Sequence, residues 1–192
     1  MRLTTLAAAV TLLWVGHAFA ADTYEVDPQH AWVGFTVNHA GWSTAHGLFK
    51  TVSGEIQFDK ADVGKSSVSI TVDAASISTN FDQRDADLQS PDFLNSAEFP
   101  QITFTSTKVE KTGDKTGKVT GDLTIAGVMK PLTLDVTWNS EAPLPWDAKT
   151  IKTGFTATGK FNVVDEFGMK KAAEYGLGPE IAVNIDVEAI KK

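Results

Sequence analysis

Along most of this chain, apolar residues recur at every second position, with polar or small residues between them. Val33, Phe35 and Val37 make the first such face, and Leu48, Val52, Ile56 and Phe58 the second. Val68, Ile70 and Val72 follow, then Ile102 and Phe104, then Val119, Leu123 and Ile125. Leu132, Leu134, Val136 and Trp138 form the sixth, Phe155, Ala157, Phe161 and Val163 the seventh, and Ile181, Val183, Ile185 and Val187 the eighth. A two-residue period places one set of side chains on each side of a pleated strand, so each run predicts a strand with one apolar and one wet face. Polar turns separate the runs and no helical stretch recurs between them, which excludes a parallel α/β sheet. The expected fold is all-β: eight antiparallel strands, curled into a barrel to remove their exposed edges, with a two-sheet sandwich as the second candidate. A barrel of this strand number either fills its own interior or holds one slim ligand. Phenylalanines mixed with Gly54, Gly121, Ala157 and Gly159 on the inward faces fit both outcomes.

Two segments interrupt the rhythm. Residues 81–95 (FDQRDADLQSPDFLN) and 167–178 (FGMKKAAEYGLG) have helix-capable centres and read as short helical inserts between strands, where function concentrates in such folds. Residues 141–147 (EAPLPWD) read as a proline-bearing loop. The N-terminus is different again: Arg2, an apolar run from Leu6 to Val15, and Ala18-Phe19-Ala20 form the pattern of a secretory leader cut after Ala20. That division gives a signal peptide over 1–20 and one domain over 21–192, with an exported destination. The run is too short for a membrane span.

Composition narrows the function. The 192 residues contain no cysteine, which excludes thiol nucleophiles, thiolate metal sites and disulfides. The net charge is −7, and after Arg2 the only arginine is Arg84. A nucleic-acid partner needs clustered Lys and Arg, so none is expected, nor is sustained docking on an anionic membrane surface.

Few residues offer chemistry. Extending the first face puts His39 beside Val37 on the inward side, at one barrel rim, where its imidazole would meet a ligand or a backbone carbonyl. His30 has the opposite parity and His46 falls in a turn, and the spacing of the three histidines matches no metal motif. Arg84 and Asp85 adjoin in the first insert, as an anion contact or as an internal ion pair that pins the insert. Lys130, in a turn, reads as a solvated charge. There is no G-x-S-x-G elbow, P-loop or G-x-G-x-x-G, and Asp165-Glu166 would point to opposite strand faces. No catalytic residue, cofactor or metal site is assigned.

Four stretches resemble one family, the YceI-like or polyisoprenoid-binding proteins. The opening YEVDPQHAWVGFTVNHAGWSTAHGLFKTVSGEIQFD is similar to that family's first hairpin, including His39 and the turn at Gly47-Leu48-Phe49. VDAASISTNFDQRDADLQSPDFLNSAEFPQITFTST carries its most diagnostic stretch, with Arg84-Asp85, Leu88, Asp92-Phe93 and Phe99-Pro100 in order. VTGDLTIAGVMKPLTLDV and GFTATGKFNVVDEFGM resemble the later strands, although Asn162 to Glu166 lacks the basic residue that the family often has there. The resemblance implies an extended, lipocalin-like eight-stranded barrel around a long apolar tunnel. It implies a periplasmic protein that binds a long-chain amphiphile such as an isoprenoid quinone or polyprenyl phosphate. On that expectation His39, Arg84 and Trp42 stand at the mouth, and Phe35, Val37, Phe104, Leu123, Ile125, Leu134 and Phe155 line the wall. Two other readings stay open: an enzyme acting on a lipid or quinone with His39 as acid/base, and a filled-barrel stress-response protein that binds another protein. A homodimer is compatible with such a barrel.

Overall fold

Threonine, valine, isoleucine and phenylalanine dominate the alternating runs, and branched or aromatic side chains pack well on a pleated, half-buried surface. In the computed structural model, which describes residues 21–192, those runs form the strands β1 (Asp22–His39), β2 (Ser43–Phe49), β3 (Val52–Phe58), β4 (Ser67–Asp73) and β5 (Ile77–Ser78). They continue as β6 (Gln101–Lys111), β7 (Thr116–Ile125), β8 (Val128–Leu144), β9 (Asp147–Asn162) and β10 (Leu177–Lys191). The leader expected over 1–20, with its cut after Ala20, lies outside the described residues. Among the described residues no helix is long and apolar enough to cross a membrane.

The strands run β10-β9-β8-β7-β6-β4-β3-β1, and β1 pairs back to β10, closing an antiparallel ring of eight. Two positions in the ring are broken strands. One edge of β1 pairs β10 from Tyr24 to His39, with interruptions, while its other edge pairs β3 at Asp22–Glu25 and β2 at Val33–His39. In the same way β5 prolongs β4 and pairs β2 at Leu48 and Phe49. The fold is therefore the expected all-β, eight-position, lipocalin-like barrel. The two inserts carry the short helices α1 (Asp82–Gln89) and α2 (Lys171–Glu174). α1 stops at Ser90, whose extended backbone is the conformation that a following proline imposes.

Two local expectations are corrected. Leu48 pairs with Gly34 and Phe49 with Val33, so Phe49 faces inward and Leu48 outward. The break at Lys50-Thr51 shifts the parity by one, and Val52, Ile56 and Phe58 then return to the buried side. Most of Glu141–Asp147, expected as a loop, is strand: Pro143 pairs Ile151 across the β8–β9 hairpin. Proline is tolerated there because β7 follows β8 only as far as Thr137, so the outer edge of this arm needs no ladder donor.

Polar clamps hold the barrel where that arm meets β1. Tyr24 is 0% exposed, and its hydroxyl donates to Glu141, which also accepts from Lys60 Nζ at 2.6 Å. Burial, and then the Glu141 carboxylate beside it, push the Tyr24 phenol above its ordinary range. A second clamp fixes the bulge that separates Val26 from Ala31 in the β1–β10 register. There Asp27 accepts from the Gln29 amide at 3.0 Å and from Lys152 Nζ at 2.6 Å, and His30 Nδ1 lies 2.9 Å away. Burial alone would raise the Asp27 carboxyl; Lys152, His30 and the Gln29 amide outweigh it and hold the group down at about 2.

A carboxyl depressed in the folded state stabilises above its unfolded pKa, and that contribution is lost as pH falls through the folded value. Asp27→Asn is expected to lower the free energy of unfolding at pH 7 by about 1–2 kcal/mol. The gap from the parent protein should close between about pH 4 and pH 2, as urea melts across that range will show.

Candidate ligand cavity

The inward faces of the ring do not meet in the middle. They enclose a cavity of about 770 Å³, within the range of roughly 300–1,000 Å³ usual for ligand pockets. Close approach to glycine explains how large rings leave it open. A Cβ on Gly47 would meet Phe35 Cζ at 2.3 Å, and one on Gly121 would meet Phe104 Cζ at 2.6 Å. Each ring therefore lies against bare backbone on the wall. The open choice between a filled and a hollow interior is thereby decided, and the filled-barrel expectation does not describe this molecule.

Phe35, Val37, His39, Arg84, Phe104, Leu123, Ile125, Leu134 and Phe155 all border the cavity. Trp42 does not: it is 82% exposed in the β1–β2 turn. Its ring meets that of His39 edge-on, 5.7 Å between centroids. Phe161 of the seventh face lines the cavity too, and so do Phe49, Met169, Tyr175, Lys60, Lys111 and Lys115, none of which the alternating pattern placed on an inward face. Two departures from simple alternation hid Phe49 and Lys111. Phe49 precedes the parity break already described, and Lys111 follows a register shift between Ser106 and Lys108 in β6. A bulge adds one residue to a strand and exchanges its faces beyond that point.

The cavity has polar groups at both ends. At one end β1 finishes with His39, paired to Ser43 and Leu177. The tight turn that follows uses Ala40 at φ 52 and Gly41 at φ 76. Asn38 Oδ1 accepts from the Gly41 amide at 2.9 Å, and the Ala40 amide donates to Gly176 O at 2.6 Å, which ties this rim to the α2 segment. Among the described residues no carboxylate oxygen lies within 4 Å of a His39 ring nitrogen. At the other end Phe58 packs edge-on against Trp138 and Phe155, with centroids 5.3 and 5.4 Å apart.

Arg84 and Asp85 do meet, but through an intermediary and not as an ion pair. Arg84 Nε donates to Thr79 Oγ1 and Nη2 to Thr79 O, both at 2.7 Å. Asp85 Oδ1 accepts from the Thr79 amide at 2.7 Å and from its hydroxyl. Phe81 caps the guanidinium, 5.7 Å from ring centroid to Cζ. Thr79 thus joins α1 to the end of β5, and only part of the guanidinium remains for a ligand.

Metal chemistry finds little footing. Among the described residues one group of metal-capable donors converges, Asp27, His30 and Glu188, away from the cavity. The Lys152 ammonium already sits within it, 2.6 Å from Asp27, 2.7 Å from Glu188 and 3.3 Å from His30. His39 and His46 do not join it.

The chain belongs to the YceI-like family, whose domain model matches residues 24–189. It is 40% identical over 192 residues to Protein YceI of Escherichia coli O6:H1, covering 97% of this chain and 96% of the relative. The crystal structure of the Campylobacter jejuni YCEI protein is similar at 36% identity and a TM-score of 0.70, covering 78% of this chain and 86% of that one. A polyisoprenoid binding domain from Saccharophagus degradans shares the fold at 14% identity and a TM-score of 0.65, covering 88% of this chain and 98% of that one.

Replacing the shared hydroxyl should loosen the insert. Thr79→Val is expected to cost about 1–3 kcal/mol in chemical denaturation, because Arg84 and Asp85 each lose a partner while their neighbours stay in place. Amide hydrogen exchange in α1 should accelerate in the same variant.

Proposed function

We propose that this chain is a periplasmic binding or carrier protein that holds a long-chain isoprenoid-type lipid, a quinone or a polyprenyl phosphate, inside the barrel. The observation that carries this reading is the cavity: about 770 Å³, walled by phenylalanine, leucine, isoleucine and valine from every position of the ring. Each buried methylene contributes about 0.8 kcal/mol, so a chain of many carbons binds without a strong polar anchor. Ordering that chain offsets part of the gain. The Saccharophagus domain, described as polyisoprenoid-binding, gives the ligand class its support. The leader pattern over residues 1–20 supports export.

His39 is the first choice for the contact with the lipid's polar end, with the free part of Arg84 on the cavity wall as the second and Trp42 edge-on to the imidazole. A catalytic role for His39 as acid/base is less well supported. General catalysis needs the imidazole oriented by a second group, and the described residues place no carboxylate oxygen within 4 Å of its ring nitrogens.

Organic extraction of protein purified from its native host, followed by mass spectrometry, should return an isoprenoid in near-stoichiometric amount. Repeated extraction without lipid, together with failure to bind added quinone or polyprenyl phosphate, would sink the carrier reading. Ala157→Phe places a ring in the lumen from a position that lines it, between Val136 and Ile185. That variant should fold yet bind lipid at least tenfold more weakly. His39→Ala should weaken binding by about three- to tenfold; an unchanged Kd would remove His39 from the contact and leave the carrier intact.

A further inference from the structure

The end of the cavity opposite His39 carries a positive charge that the protein itself leaves unanswered. Beyond the bulge in β6, Val109 and Lys111 face Val119 and Gly117 of β7, and all four border the cavity. Lys111 therefore ends the inward face of β6 as His39 ends that of β1, but at the other end of the barrel. Gly117 opposite it has no side chain to fill the space. Lys115, in the same β6–β7 turn, donates to Asn139 O at 3.0 Å and lies 5.7 Å from the Trp138 ring centre. Lys60 at this end is already paired with Glu141. Among the described residues no carboxylate lies within 4 Å of the ammonium of either Lys111 or Lys115, although Asp114 borders the same end. The His39 end is balanced differently: Arg84 is largely engaged by Thr79, and Asp87 borders the cavity with it.

Resting on the reading of the cavity as a lipid site, we propose that Lys111 and Lys115 form a second head-group site that takes the anionic end of a long-chain amphiphile, a carboxylate or phosphate ester. An amphiphile held through His39 lies with its head at the β1–β2 turn; one held through the two lysines lies the other way round, its tail running from the β6–β7 turn toward His39. The charge acts at the rim of an apolar lumen, where attraction is stronger than in open water and still subject to screening by salt. Both lysines are exposed at this rim, and the length of a lysine stem lets its ammonium reach the head while the tail is buried.

Delipidated protein titrated with oleate and, separately, with oleyl alcohol at low ionic strength tests this. Oleate should bind about five- to tenfold more tightly than the alcohol, and 0.5 M salt should erase most of the difference. Lys111→Met/Lys115→Met should remove most of the preference for oleate over the alcohol, with an unchanged thermal melt of the ligand-free variant as the check on folding. Equal affinities of the parent protein for the two ligands overturn the proposal while leaving the lipid-binding reading standing. So does a preference for oleate that survives in the lysine variant and disappears in His39→Ala. If neither amphiphile binds, the head-group proposal falls, while the carrier reading stands or falls on the binding of added quinone and polyprenyl phosphate.

Discussion

The seam between β1 and β10 is the constraint on which the other features rest. Every other neighbouring pair in the ring is linked by the chain running directly between them, or through a short insert; β1 and β10 come from opposite ends of the domain and must find each other. Their pairing converts a sheet with two exposed edges into a closed wall, and only closure turns eight apolar faces toward a common axis. The seam is not uniform. It lets go between Val26 and Ala31, and the residues released there, Asp27 and His30, are gathered by Lys152 from β9. A covalent tie is absent from a chain without cysteine, so hydrogen bonds and ion pairs carry that work.

A hollow barrel forgoes some of the packing that a filled one would enjoy, because a side chain facing a void lacks partners on that side. The structure adds cohesion at the end opposite His39. Tyr24, Glu141 and Lys60 join β1, the β8 arm and the segment after β3 in one buried-to-exposed chain of hydrogen bonds. Phe58, Trp138 and Phe155 pack edge-on just beside it, the arrangement that aromatic quadrupoles favour. The lumen is thus left open for a guest, while polar clamps and a small aromatic cluster tie the strands together at the end opposite His39.

The strand pattern was readable wherever the period of two ran without interruption, which is why the count of eight positions and the inward placement of Phe35, Leu123, Ile125 and Leu134 follow from it. It misled where an extra residue or a break changed the parity. Leu48 and Phe49 exchanged roles at the β2–β3 break, and Lys111 came to the lumen only through a bulge that alternation cannot foresee. Side-chain partners chosen in three dimensions were likewise out of reach. Arg84 and Asp85 looked like a pair because they adjoin, yet both turn to Thr79, which nothing in the local sequence marks as a hub. Hollowness was also undecidable, since it depends on Phe104 lying over Gly121 and Phe35 over Gly47, contacts made across strands.

The arm of β8 and β9 that extends past β7 has one further consequence. From Trp138 onward the outer edge of β8 has no neighbouring strand among the described residues, and such an edge is a template on which a second molecule can add a strand. Pro143 sits on that edge and Pro145 at its tip, beside a Trp146 that is 81% exposed. A proline offers no amide hydrogen, so the run of donors that an incoming strand would need is interrupted there. The two prolines thus work against the addition of a strand from a second molecule along this edge.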